Sequence, residues 1–185
     1  MKMPGLHNVQ NSLAAIAVGL ELDIPFNSIA ESLKNFSGLE RRFQVKSDLN
    51  NLLIIDDYGH HPTEIKATLK TLKEIYKRKR IIVVFQPHRY TRTKLLLKDF
   101  FSSFCDADIL IIAPIYSANE EPINGVSENL IFEGVKKQGH KNVLMMKDKQ
   151  EILEYLVKSV KANDVVLTLG AGDIWKVGEE LIKKL

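Results

Sequence analysis

The chain has 185 residues, of which 45% are hydrophobic and 26% charged, and its formal net charge is +3. That length supports a domain with a real core, and so small and dispersed a charge argues against a dedicated nucleic-acid binder, which gathers its basic residues on one face. One cysteine, Cys105, excludes an internal disulfide and fits a reducing cytoplasm, while no apolar run nears the ~20 residues a membrane-spanning helix needs.

Asn8 to Glu21 predicts a helix, because Leu13, Ala14, Ile16, Ala17 and Leu20 recur at helical spacing. Pro25 opens a second, shorter helix with Ile29, Leu33 and Phe36 along one stripe, and Gly38 follows it. Strands are then expected at Phe43–Val45 and Leu52–Ile55, and a helix at Ile65–Tyr76. The basic run Lys77-Arg78-Lys79-Arg80 reads as a solvated helix end. Ile81–Phe85 and Ile109–Ala113 are unbroken apolar runs, as in strands buried on both faces, with a helix at Lys94–Phe104 between them. Helices at Glu128–Lys137, Lys149–Lys161 and Ile174–Lys184 alternate with strands at Val143–Met146 and Val165–Leu169. This rhythm predicts an α/β fold: a mostly parallel sheet covered by helices. Residues before about Ser37 do not share it, which divides the chain into a helical segment, 1–36, and a strand-helix domain, 37–185.

Chemistry collects after the strands. Asp56-Asp57-Tyr58-Gly59-His60-His61-Pro62-Thr63-Glu64 follows the second strand, and Gln86-Pro87-His88-Arg89-Tyr90-Thr91-Arg92 the third. Pro114 to Pro122 and Gly170-Ala171-Gly172-Asp173 follow two others. In an open parallel sheet, ligands bind beyond the C-terminal strand ends, so these loops mark a site. Adjacent histidines rarely share one ion, and no Cys or Glu stands at ligand spacing, so no metal site is expected. Pro62, Thr63 and Glu64 fit a helix start. Asp56 and Asp57 suit either a turn or a ribose hydroxyl. His88, Arg89 and Arg92 put cations where a helix start prefers anions, which favours binding a carboxylate or phosphate. Gly170-Ala171-Gly172 suits either an anion or a plain turn, and no Gly-Lys-Ser/Thr phosphate loop is present. Asn8 fits a helix N-cap, and Asn11 lies one turn on; two such amides could read a base edge or satisfy the backbone. Arg41-Arg42 reads, by itself, as a surface basic pair.

Taken together, these motifs resemble the Mur ligase family. Pro4-Gly5-x-His7-Asn8-x-x-Asn11 is similar to the segment closing the family's central ATP-binding domain. Phe36-Ser37-Gly38-x-x-Arg41-Arg42-Phe43 is similar to the junction into its Rossmann-like C-terminal ligase domain. The loops at Asp56–Glu64 and Phe85–Thr93 resemble the L-alanine-adding branch in particular. The murein tripeptide recycling branch shares the His-His-Pro and is the alternative, as is a non-catalytic nucleotide- or amino-acid-binding module.

The resemblance implies an ATP-dependent amide ligase of peptidoglycan synthesis, acting in the cytoplasm on ATP, L-alanine and UDP-N-acetylmuramate through an acyl phosphate. It places His7, Asn8, Asn11, Arg42 and Asp57 at ATP. It places Tyr58, His60, His88, Arg89 and Arg92 around L-alanine, and Arg42, Asp57 and His60 in the catalytic step. Leu6 stands where the family often has a basic residue. The family's UDP-sugar domain, phosphate loop and magnesium ligands have no counterpart here. The resemblance therefore implies partner domains that supply them, Mg2+ bound mainly there, and a chain inactive by itself.

Overall fold

The computed structural model describes residues 3–185, which form two compact units, one ending at Glu40 and the other spanning Arg41–Leu185. The smaller unit is a helix pair, α1 (Leu6–Glu21) and α2 (Phe26–Asn35). Helix α1 starts earlier than its apolar spacing indicates. Its N-cap is Gly5, without a side-chain cap, so Asn8 is not the cap; its Nδ2 donates back to the Pro4 carbonyl at 2.6 Å. Gly19 lets the helices approach, since a Cβ there would lie 2.6 Å from Ile29 Cδ1. Much of the apolar surface of α1 stays open, with Leu6 71%, Leu13 60% and Val18 60% exposed.

In the larger unit, β1 (Gln44–Leu49), β2 (Leu52–Asp57), β3 (Arg80–Phe85), β4 (Ile109–Ile112), β5 (Val143–Met145) and β6 (Asp164–Leu169) form one sheet in the order β1-β2-β6-β3-β4-β5. β1 is antiparallel to β2, joined through Asn50 and Asn51, both at positive φ (51° and 65°). That is the backbone a two-residue hairpin with right-handed twist requires, and Asn tolerates it. The other pairings are parallel, as the apolar runs indicate.

Connectivity decides which face each helix covers. From β2 to β5 the chain moves one way across the sheet. Helices α3 (Pro62–Ile75), α4 (Tyr90–Leu95), α5 (Leu97–Phe101) and α6 (Glu128–Lys137) make these crossovers. Ile65, Leu69 and Leu72 of α3, Phe100 of α5, and Ile131 and Val135 of α6 bury one core with Ile55, Val83, Phe85 and Leu167. After β5 the direction reverses, so the right-handed crossover to β6 puts α7 (Lys149–Ser159) on the opposite face, where α8 (Trp175–Lys184), after β6, packs beside it. There Ile152, Leu156, Val177 and Leu181 pack on Ile54, Val84 and Val166. The sheet is thus Rossmann-like, with helices on both faces. Because β6 inserts between β2 and β3, the crevice beyond their C-terminal ends lies where the winding reverses.

Two expectations need correction. The helix expected at Lys94–Phe104 is two short helices that begin at Tyr90 and break at Leu96 (φ −106°, ψ 16°). Apolar spacing hides the break, because Leu96, Leu97, Phe100 and Phe104 all reach the same core across it. The basic run is not simply a solvated helix end. α3 stops at Ile75, Lys79 Nζ holds Asn51 Oδ1 at 2.7 Å, and Arg80 enters β3 to pair with buried Asp164 at 2.6 Å.

Candidate active site

Asp56 and Asp57 end β2 with side chains buried, so each carboxylate needs partners. Asp57 spends both oxygens on backbone: Phe43 N donates to Oδ2 at 2.8 Å and Gly59 N to Oδ1 at 2.7 Å. Burial nevertheless dominates and raises its pKa above the ordinary carboxylate value, with those two N–H groups and Arg42 pulling the other way. Asp56 accepts from Thr168 Oγ1 at 2.7 Å and from Arg41 Nε at 2.9 Å.

These bonds fold the Arg41–Phe43 turn over the Asp57–His60 loop. Arg41 and Arg42 both lie over the Tyr58 ring, 5.0 and 5.6 Å from its centroid. Arg42 is largely exposed and reaches Glu64 Oε1 at 3.1 Å. Glu64 Oε2 accepts from His60 N and His61 N at 3.0 and 3.2 Å, while His61 Nδ1 accepts from Thr63 N at 3.2 Å. His61 and Glu64 thus form the capping box of α3, and His61 belongs to the helix end. Burial opposes charge on Glu64, yet the bonds from His60 N, Arg42 and His61 N outweigh it and hold its pKa below the ordinary value.

The next loop meets this one. The His60 ring lies 5.4 Å from Tyr58 edge-on and 5.6 Å from His88. His88 stacks on Tyr116 at 5.7 Å, and an isolated bridge joins the two backbones: Tyr116 N donates to Pro87 O, and Arg89 N to Tyr116 O, each at 2.8 Å. Arg89 is held at φ 71°, a conformation that is strained for a side chain with a Cβ and concentrates at functional sites. Gly170-Ala171-Gly172 serves packing here. A Cβ on Gly172 would lie 2.3 Å from Gln86 Oε1 and 2.6 Å from Tyr116 Cγ, so glycine is what lets the β6 loop pass beneath Tyr116.

Hydrogen bonding fixes the imidazole protons. A carbonyl only accepts, so His60 Nδ1, 2.9 Å from Tyr58 O, carries the proton. Burial, countered by that bond and aided by Arg92, lowers the His60 pKa; the ring is neutral near neutral pH, with a lone pair on Nε2. Its 3.8 Å approach to Glu64 is therefore not an ion pair at that pH. Arg92 Nη1 only donates, so His88 Nδ1, 2.9 Å away, accepts, and the His88 proton sits on Nε2. Burial first, then Arg92, His60 and Arg89, pull His88 down to about 4.

The arrangement leaves two arginines without a carboxylate in direct contact, although the Glu120 carboxylate lies within Coulombic range of Arg89. The Arg–carboxylate pairs among the described residues are Arg41–Asp56, Arg42–Glu64 and Arg80–Asp164. Arg89 and Arg92 are in none of them. Arg92 is bonded to His88 at Nδ1 and at the carbonyl (3.2 Å), and both histidines beside it are neutral. Such a corner can take a small carboxylate through charge-assisted bonds. Among the described residues no group of three or more His, Cys, Asp or Glu side chains could hold a metal, and the Asp56 and Asp57 oxygens are already engaged.

Of the residues singled out in the sequence, Arg42, Asp57, Tyr58, His60, His88, Arg89 and Arg92 thus share one neighbourhood. His7, Asn8 and Asn11 lie on α1 in the smaller unit; Asn8 is buried and Asn11 exposed. Arg41, Asp56 and Tyr116 also build the site. Asp56 is legible in the sequence as a strand-end carboxylate and Arg41 as half of a basic pair, while Tyr116 is marked only by its place in a strand-end loop.

Comparison with known proteins gives these residues a context. Residues 41–172 match the family described as Mur ligase, glutamate ligase domain. A UDP-N-acetylmuramate–L-alanine ligase of Geobacter sp. (strain M21) is 49% identical over 99% of this chain and 40% of its own length. The corresponding ligase of Geotalea daltonii is 51% identical over the same shares. The crystal structure of the UDP-N-acetylmuramate-alanine ligase of Thermotoga maritima superposes with a TM-score of 0.83 at 31% identity, covering all of this chain and 39% of that one. A domain from a putative UDP-N-acetylmuramate:L-alanyl-γ-D-glutamyl-diaminopimelate ligase of Haemophilus ducreyi matches 77% of this chain over 98% of its own, with a TM-score of 0.57 and 25% identity. The chain spans about 40% of the length of the curated relatives it matches, and it belongs to the Mur ligase family.

Proposed function

We propose that this chain carries the amino-acid end of an ATP-dependent ligase that joins L-alanine to UDP-N-acetylmuramate in the cytoplasmic steps of peptidoglycan synthesis. The observation that carries the reading is that Arg89 and Arg92 make no direct carboxylate contact among the described residues, and Arg92 instead holds neutral His88 beside neutral His60, in a crevice at the reversal point of the sheet. L-Alanine offers a carboxylate, an amine and one methyl. The arginines take the carboxylate, and Tyr58, His60 and His88 surround the rest. The muramoyl carboxylate first accepts the γ-phosphoryl of ATP. The amine then attacks the acyl carbon, the amide C–N bond forms and phosphate leaves. Exposed Arg42 turns from Glu64 to offset charge on the phosphates, and Asp57 keeps the Arg42 turn and the Tyr58 loop together on the ribose side. His7, Asn8 and Asn11 serve the adenine.

Magnesium does not fit the carboxylates described here, which are taken up by backbone and arginine; no step is assigned to it on this chain. Phosphoryl transfer rests on positioning and charge neutralisation, so we propose that the remaining length of the relatives supplies the phosphate loop and metal ligands, and that this chain alone has no turnover. The test is amide formation from ATP, UDP-N-acetylmuramate and L-alanine. The protein at the relatives' full length should form the alanyl amide, and this chain alone should not. Preference for another amino acid or for a preformed tripeptide would overturn the assignment.

A further inference from the structure

We propose that Arg41, a residue with no role assigned so far, is a positioning residue that mounts Arg42 and Tyr58 as one rigid piece. The inference rests on the ligase reading above. The turn is strained at two places: Arg41 has φ 58° and Phe43 φ 49°, a region that side chains with a Cβ rarely adopt. It is held because nearly every polar group flanking its apex is tied down. Arg41 N donates to Gln44 Oε1 at 3.1 Å, Tyr58 N donates to Arg41 O, and Phe43 N donates to Asp57 Oδ2 at 2.8 Å.

The Arg41 side chain closes the mount. Its Nε donates to Asp56 Oδ2 at 2.9 Å and its Nη2 to Gly170 O at 2.6 Å, and its guanidinium lies over Tyr58. Asp56 is 2% exposed and is itself anchored by fully buried Thr168. One guanidinium therefore ties together the turn, the end of β2 and the end of β6, with Tyr58 beneath it. Arg42, at the apex, is left free on its outer side with only the exposed Glu64 contact. Two neighbouring arginines thus divide the work: Arg41 is spent on structure so that Arg42 is presented to a ligand. Tyr58 lies under both, so the nucleotide-facing and alanine-facing groups are set by one brace. Lysine cannot replace Arg41, because a single ammonium does not reproduce the fork that spans Asp56 and Gly170.

The first test is amide exchange in the chain as it stands, comparing Arg41→Lys and the charge-balanced double variant Arg41→Met/Asp56→Asn with the unaltered protein. Exchange at Tyr58 N–H and Phe43 N–H should accelerate at least tenfold while the amides of β3 and β6 keep their protection. Unchanged exchange at Tyr58 and Phe43 would overturn the mount, whether or not the chain belongs to an active ligase. The second test is kinetic, in the full-length protein. Arg41→Lys should raise KM for ATP and for L-alanine together, by similar factors of about tenfold, whereas Arg42→Lys raises the ATP value selectively and Arg92→Lys the alanine value selectively. A lower kcat with both KM values unchanged, matching a loss of folded protein, would make Arg41 merely structural. Absence of alanine-dependent turnover in the unaltered full-length protein would refute the ligase reading instead, and the exchange result would still decide the mount.

Discussion

Removing the charge of Arg92 tests the site's electrostatics without requiring turnover. Arg92→Met keeps most of the apolar stem and deletes the guanidinium 2.9 Å from His88 Nδ1. In the unaltered chain His88 lies at about 4, against 6.5 for an ordinary histidine, with burial the first cause and Arg92 the second. Burial, His60 and Arg89 persist in the variant, so the pKa should rise by about one unit or more without returning to 6.5. The sign for stability follows. Between pH 6.5 and about 4 the unfolded chain binds a proton at His88 that the folded chain refuses, so His88 makes stability fall as pH drops through that window. The gap at ~1.4 kcal/mol per unit gives roughly 3 kcal/mol, which screening around a partly open ring reduces to about 1–2. Imidazole 15N–1H correlation spectra from pH 3.5 to 8 read both the pKa and the tautomer. We expect an Nε2–H tautomer and a titration near 4 in the parent, a higher midpoint in Arg92→Met, and a shallower decline of urea stability below pH 6.5. A His88 that titrates near 6.5 in the parent, or does not move in the variant, would refute the arrangement.

Other perturbations probe separate parts. Glu64→Ala removes half of the α3 capping box and the resting partner of Arg42, and should cost about 1 kcal/mol in urea unfolding at pH 7. Gly172→Ala drives a Cβ to 2.3 Å from Gln86 Oε1; we expect a loss of about 1–3 kcal/mol, with the His88 and Tyr116 ring resonances shifted more than those of Trp175. Residues 41–185 should unfold in one cooperative transition without the helix pair, as two-state fits of calorimetric and circular dichroism melts would show. A broad or biphasic melt would contradict that.

Much of the architecture is legible in the sequence because its signals are local. The runs Ile81–Phe85 and Ile109–Ala113 are too apolar for anything but strands buried on both faces. Helices α6, α7 and α8 follow their apolar spacing closely. The α4–α5 break is invisible to side-chain spacing, which records which face is buried and not whether the backbone ladder is continuous. Asn8 offers the right side chain for the N-cap of α1, but the helix already begins at Leu6 behind Gly5. The site's cations were visible as a conflict with the helix-start preference for anions. The role of Arg41 was not, because what distinguishes it from Arg42 is a long-range bond to Gly170, 129 positions away in sequence. Likewise, Tyr116 reaches His88 only through a bridge between strand-end loops.

The most direct test of the central claim is the alanine dependence of phosphate release in the full-length protein bearing Arg89→Ala or Arg92→Ala. A charge-assisted bond to the carboxylate is worth on the order of 1.5–3 kcal/mol, so KM for L-alanine should rise roughly ten- to a hundredfold in each variant. KM for ATP should change far less. Arg→Lys at either position should rescue only in part, because charge returns without the two-pronged grip. Wild-type alanine dependence in both variants, or a loss confined to ATP, would contradict the assignment of this corner to L-alanine.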